Sequence, residues 1–322
     1  MLPLVGDARQ DRWPLRARPR QTAASEKEVA MAPRKQPSER QRRLGAELRK
    51  LRTRSGISGD QAAVMLDADR ARISNIEAGR LDVSRNRLYM VLREYDCPPG
   101  AYFDGLMELA QDSGKGWWDE YRETQGRRAL DLVELESRAT RVRAHEPSVI
   151  PGLLQTEDYA RGVLSSIEGD HRNLDRWVRF RMERQRVLAE LETYHAVIHE
   201  SALRMRVGDT GTMRKQLLKL IEICRMPHVT VQIFPFDMGP YPSHTRSFVL
   251  FGGTAPELDT LYREHPTSAD FIGDGDRIAE YASMFERLAS LALAPIDPAA
   301  APEAQGAGDS LSLLQHVLYE LR

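Results

Sequence analysis

The sequence predicts an all-α N-terminal domain of five short helices, followed by an α+β domain with a small, mostly antiparallel sheet. Three observations predict it. Ala62, Ala63 and Leu66 form one apolar stripe and Ile73 and Ile76 another, at the spacing of two short packed helices. Beyond the polar, glycine-containing stretch 112–116, the helical period gives way to a mixture of helical runs and two-residue alternation. With 322 residues and 41% hydrophobic content, the chain can bury two cores.

The first helix fits residues 43–54, with Leu44, Leu48 and Leu51 on one face and Ser55-Gly56 closing it. Ser58 caps the second helix. Asp67-Ala68-Asp69 has room only for a tight turn, and Asp69 caps the third helix, which Gly79 ends in a left-handed conformation. A fourth helix spans 84–94, with Leu88, Val91 and Leu92 inward. Pro98-Pro99 opens a fifth, through Phe103, Leu106 and Leu109. This domain covers 39–112. Residues 1–38 read as a disordered basic extension with no apolar core and hence no signal peptide, and Met31 is a natural alternative start.

The second domain covers 117–294. Its expected helices are 117–125, 174–191, 213–224 and 276–293; its expected strands are 140–143, 195–199, 229–234, 247–251 and 258–262. A linker rich in Ala, Pro and Gly follows at 295–308. The terminal helix at 309–322 bears Leu311, Leu314, Leu318 and Leu321 as a stripe that must dock on its own domain or on a partner.

Residues 57–88 thus read as a helix-turn-helix with its supporting helix. The outward residues of the second unit, Arg70, Ala71, Ser74 and Asn75, are short, polar or basic at a helix N-terminus, as base contact in a major groove requires. The recognition helix is 70–78. The chain is neutral overall, 46 basic against 47 acidic residues, but 34–54 holds nine basic residues against Glu39 and Glu47. Alone, such a run is a solvated helix face; beside this motif it suits DNA phosphates, and Arg43, Ser58, Arg72 and Arg80 are the expected contacts.

Cys97 and Cys224 belong to no C-x-x-C pattern and suit a reducing cytoplasm, where both serve as small apolar fillers. No stretch approaches the roughly 20 apolar residues of a membrane span. His195 and His199 on one strand face stand about 13 Å apart, too far to share a metal. Neither a nucleophile elbow nor a phosphate-cradling glycine loop occurs. The reading is a protein without cofactor or metal, not an enzyme. Gly273-Asp274-Gly275-Asp276 reads as a turn, and Trp117-Trp118 as junction packing rather than a stacking platform. The segment 151–156, PGLLQT, turns the chain and caps a helix at Thr156; its two leucines with Tyr159 equally suit a pocket border.

Residues 72–79, RISNIEAG, make the N-terminal domain resemble the phage-repressor-like family of helix-turn-helix proteins, the xenobiotic-response-element type, over residues 44–109. The resemblance implies that Glu77 pairs with Arg52 and that Arg85 contacts phosphate. Gly59 departs from the family by replacing a glutamine that binds phosphate, and Asp67 by replacing a glycine in the turn. Residues 149–160, 181–185 and 229–236 resemble a domain that follows such modules in many high-GC Gram-positive bacteria. Together the two resemblances imply a sequence-specific transcriptional regulator, itself antitoxin-like and paired with a small companion protein. The second domain would serve dimerisation, partner binding or ligand sensing. One such motif reads half a conventional site, so a homodimer is expected. Alternatives are a helix-turn-helix fused to a ligand-processing enzyme, or one that docks proteins only.

Overall fold

The computed structural model describes residues 36–111, 114–167, 171–238, 241, 246–265, 267–299 and 308–321. The expected basic extension up to residue 35, the start at Met31, residues 112–113 and residues 300–307 of the expected linker lie outside them.

The helical module is built from α1 (Glu39–Arg54), α2 (Gly59–Met65), α3 (Arg70–Glu77), α4 (Arg85–Glu94) and α5 (Ala101–Gln111). Its core gathers Leu44, Leu48 and Leu51 with Ala62, Ala63, Ile73, Ile76, Leu88 and Leu92. α1 begins four residues before the expected start, because Ser38 and Gln41 form a reciprocal capping box. α5 begins at Ala101, not at the two prolines. Where α1 crosses the end of α3, Gly45 and Gly79 leave the backbones in contact. A Cβ on Gly45 would lie 2.6 Å from the Glu77 carbonyl oxygen, and one on Gly79 2.6 Å from that of Gln41. Gly79 also has φ +69°, so both space and conformation select glycine there.

The α+β region holds a six-stranded sheet: β1 (Arg141–Glu146), β2 (Thr193–His199), β3 (Val229–Phe234), β4 (Phe248–Gly252), β5 (Thr260–Glu264) and β6 (Ala269–Ile272), in the order β3-β2-β1-β4-β5-β6. β1, β2 and β3 run parallel, while β1-β4, β4-β5 and β5-β6 are antiparallel. The sheet is therefore mixed, which corrects the expectation of a mostly antiparallel one. The physical reason is the connections. Between β1 and β2 run α7 (Glu157–Ile167) and α8 (Leu174–Arg184), and between β2 and β3 run α9 (Glu200–Arg204) and α10 (Thr210–Ile223). Long helical crossovers return the chain in the same direction.

α6 (Arg127–Glu136), unexpected from the sequence, packs with α7, α9 and α10 on the sheet face of Val142, Ala144, Tyr194 and Ile198. α11 (Gly275–Leu291) covers the opposite face through Phe285 and Leu288. α12 (Ser310–Glu320) buries Leu311, Leu314, Val317 and Leu318 in the larger core. Its stripe is thus occupied by its own domain. The stretch before it is tied down too, as Ile296 is buried and donates its N–H to Val231. Trp117 and Trp118 pack with Tyr121, Leu130, Val133 and Phe180.

Candidate nucleic-acid interface

α2 and α3 form the two arms of a helix-turn-helix. Ser58 and Gln61 cap α2 reciprocally. Asp67 bends the turn at φ +46°, so the aspartate does occupy the left-handed region. Asp69 Oδ1 accepts from the Arg72 N–H at 2.5 Å and starts α3. Burying Ile73 and Ile76 leaves Arg70, Ala71, Arg72 and Ser74 exposed, with Asn75 half-buried beside them. Ser58, Arg80 and Arg85 are exposed as well. Beneath α3, Arg52 grips Glu77 bidentately, Nε to Oε1 at 2.5 Å and Nη2 to Oε2 at 3.1 Å, and donates to the Ile57 carbonyl at 2.7 Å. The hydrogen bond it donates to Glu77 holds the guanidinium above its usual value. The pair locks the end of α3 to α1.

Asp60 was not singled out in the sequence, yet its carboxylate receives Arg70 Nη1 at 3.2 Å. Only the opposite charges ten residues apart hinted at the pair. Arg43 is the correction. Its Nη2 donates to the Glu257 carbonyl at 2.8 Å, its Nη1 to the Asp259 carbonyl at 3.2 Å, and Glu47 pairs with it at 3.0 Å. It faces the α+β region and is spent there, not on phosphate.

Two neighbours share that fate. Arg40 donates to Glu134 at 2.7 Å and to the Leu109 carbonyl at 2.5 Å. Arg42 joins Arg127 around Asp131, whose carboxyl burial raises while Arg127 and Arg42 pull it back. The N-terminal half of α1 is thus a dock between modules. The basic residues left exposed on the module include Arg49, Lys50, Arg54, Arg70, Arg72, Arg80 and Arg85.

In the α+β region the distinctive sequence segments converge structurally. Gln155 donates to the Ile150 carbonyl at 2.7 Å and accepts from Arg181 at 2.9 Å. Gln185 donates to the Gly152 and Gln155 carbonyls, and Arg184 clamps buried Glu136 at 2.6 and 2.8 Å. Thr156 receives the Tyr159 N–H, as a cap should. His195 and His199 share β2 but not a ligand set: His195 bonds Gln232, and His199 bonds Ser201. No group of three or more metal-ligating side chains gathers among the described residues. Asp274, in the glycine-aspartate turn, caps α11. Among the described residues no helix is long and apolar enough to cross a membrane.

The geometry defines a DNA-binding domain of the helix-turn-helix class. A family model described as a helix-turn-helix domain matches residues 43–100. A second model, a domain of unknown function (DUF5753), matches residues 129–301, more than half of the chain, and the chain belongs to that family. No curated protein and no solved structure matches the chain.

Proposed function

We propose that this protein is a sequence-specific transcriptional regulator of the xenobiotic-response-element type. The observation that carries the reading is α3. Arg70, Ala71, Ser74 and Asn75 are presented outward on a helix whose far end is fixed by the Arg52–Glu77 pair. Arg70 reads a base, with Ser74, Asn75 and Ala71 as further base contacts. Arg72, Arg80, Arg85 and Ser58 hold phosphates. Arg43 has no part in this, since its two terminal nitrogens are already committed to carbonyls of the α+β region.

The α+β domain acts by binding, not catalysis, and without cofactor. This is supported by the use of its conspicuous polar residues, Gln155, Arg184 and Gln185, as internal ties. A ligand-sensing role for that domain, and an antitoxin-like pairing of this chain with a small companion protein in the cytoplasm, complete the proposal. A homodimer on a palindromic site fits the reach of a single motif, with half-sites ~34 Å apart. Selection of the full chain against random duplex DNA at physiological salt tests it. A recovered motif supports the reading, and uniform weak binding to all sequences overturns it. Light scattering of the free chain and of its complex with the selected duplex tests the dimer.

A further inference from the structure

Resting on the homodimer reading, we propose that the open edge of β6 is the surface that joins two copies of this chain. Their β6 strands pair antiparallel about a twofold axis through Phe271. A sheet edge is a row of unpaired backbone donors and acceptors, which proteins cover or guard. The β3 edge is covered. Leu293 and Ile296 donate their N–H groups to the Ile233 and Val231 carbonyls, and Ser310 Oγ accepts from the Ile233 N–H. β6, at the other end of the sheet, has no such cover among the described residues.

The register says which groups are open. The hairpin of β5 and β6 closes with the His265 N–H donating to the Ser268 carbonyl at 2.8 Å. Bonded pairs alternate from there, so Arg263 bonds Asp270 and Leu261 bonds Ile272 across the ladder. Ala269 and Phe271 therefore turn their N–H and C=O groups outward. No hydrogen bond among the described residues takes them. Neither Lys nor Pro guards the strand. Its one charge, Asp270, is turned inward to Arg263 at 2.6 Å and His265 at 3.0 Å.

What fits such an edge is another strand, and this strand fits itself. With Phe271 on the axis, the two copies of that residue exchange both backbone bonds. Ala269 then falls opposite Gly273 of the other copy, and Asp270 opposite Ile272. The half-buried Phe271 ring lies edge-on to Tyr262 at 5.1 Å. Across the seam it meets its twin, and the small Ala269 and Gly273 leave both rings room. Asp270 lands beside an isoleucine, its charge already matched by Arg263, so no unmatched like charges meet. The terminal stripe on α12 is not free for this task, because its own domain occupies it. A Cβ on Gly273 would run into the Arg43 guanidinium, so the helical module stands at the end of β6. Antiparallel pairing thus sets one module at each end of the joined strands, as two half-sites require. A strand of four residues makes few bonds, so the free dimer is weak and a duplex carrying both half-sites tightens it.

Sedimentation equilibrium of the full chain should show a dimer whose share rises with concentration. Ala269→Pro removes an outward N–H and no bond of the β5–β6 ladder, since Ala269 and Glu264 form a non-bonded pair. It should weaken association at least ~10-fold while melting as a folded protein. Phe271→Lys and Phe271→Glu each set like charges opposite one another on the axis. Each variant alone should be monomeric, and an equimolar mixture of the two should dimerise. If melting shows that either does not fold, Ala269→Pro decides. A dimer undiminished by Ala269→Pro, charge variants that dimerise alone, or folded ones that stay apart when mixed overturn the edge and leave the homodimer standing. A wild-type monomer at every concentration and on the selected duplex overturns both. Selection against random DNA is independent of these outcomes, so the regulator stands or falls separately.

Discussion

On the proposed reading Arg70 turns from Asp60 to a base, and the exposed pair at 3.2 Å holds little energy back. The guanidinium is therefore pre-aimed at small cost, and its fork suits the two acceptors of guanine. Arg70→Ala should weaken binding to the selected site by about 1–3 kcal/mol and relax preference at one base pair. A titration of matched and mismatched duplexes measures both, and an unchanged motif would remove Arg70 from the reading head. Glu77 makes the opposite kind of contribution. Its carboxylate is mostly buried against Arg52, and removing it leaves that guanidinium, among the described residues, with the hydrogen bond to the Ile57 carbonyl. Breaking a buried pair costs on the order of 3–5 kcal/mol, and the partial exposure here puts the loss at the lower end. Glu77→Ala should lower the melting temperature and weaken DNA binding through the tilt of α3. Wild-type melting with weak binding would instead place Glu77 against the DNA.

The helices show which features local pattern can carry. Caps, stripes and the left-handed glycine made α2, the turn and α3 legible, because each is satisfied within a few residues of sequence. The resemblance to known helix-turn-helix proteins brought Arg52 to Glu77. The role of Arg43 was not legible. A basic run has the same spelling whether it faces phosphate or carbonyls such as those of Glu257 and Asp259, more than 200 residues away. β6 was missed because four residues are too few for alternation to declare itself. The parallel pairing was missed because strand direction depends on crossovers, and of these only the start of α7 at the Thr156 cap was read from the sequence, and α9 not at all. α12 settles an alternative that the sequence left open. With Leu314 fully buried and Ser310 Oγ accepting the Ile233 N–H, its apolar face completes the sheet domain. Truncation before residue 309 should therefore cost several kcal/mol, on the order of 2–5 kcal/mol per large core side chain lost. Urea unfolding measures this. A truncated chain as stable as the full one would return the stripe to the role of a partner surface.

Across the whole molecule, two adjacent residues of β1 point to opposite faces and oppose each other in pH. His145 is fully buried, its Nδ1–H donating to the Val197 carbonyl at 2.9 Å and its Nε2 accepting from the Tyr241 hydroxyl. Burial, the largest cause, lowers its pKa to about 4. As pH falls through about 6.5, the unfolded chain takes up this proton while the folded one does not, so stability declines down to about pH 4. The full window is worth about 3 kcal/mol. Glu146 is half-buried on the helical face, and burial, again the largest cause, raises its pKa to about 7, against a hydrogen bond from Ser247 and the charges of Arg181 and Arg184. Here the folded state keeps a proton that the unfolded chain releases near 4.5, so stability falls as pH rises from there to about 7 and levels off beyond. The two slopes oppose each other in the weakly acid range, and the wild-type profile there should be flatter than either residue alone would make it. Glu146→Gln removes only the second. The variant should gain stability relative to wild type on going from pH 5 to pH 8, and it should lose stability on acidification more steeply than wild type. Urea unfolding of both proteins at those two pH values measures the difference. A constant offset between them would mean that Glu146 titrates at its ordinary value in the folded protein.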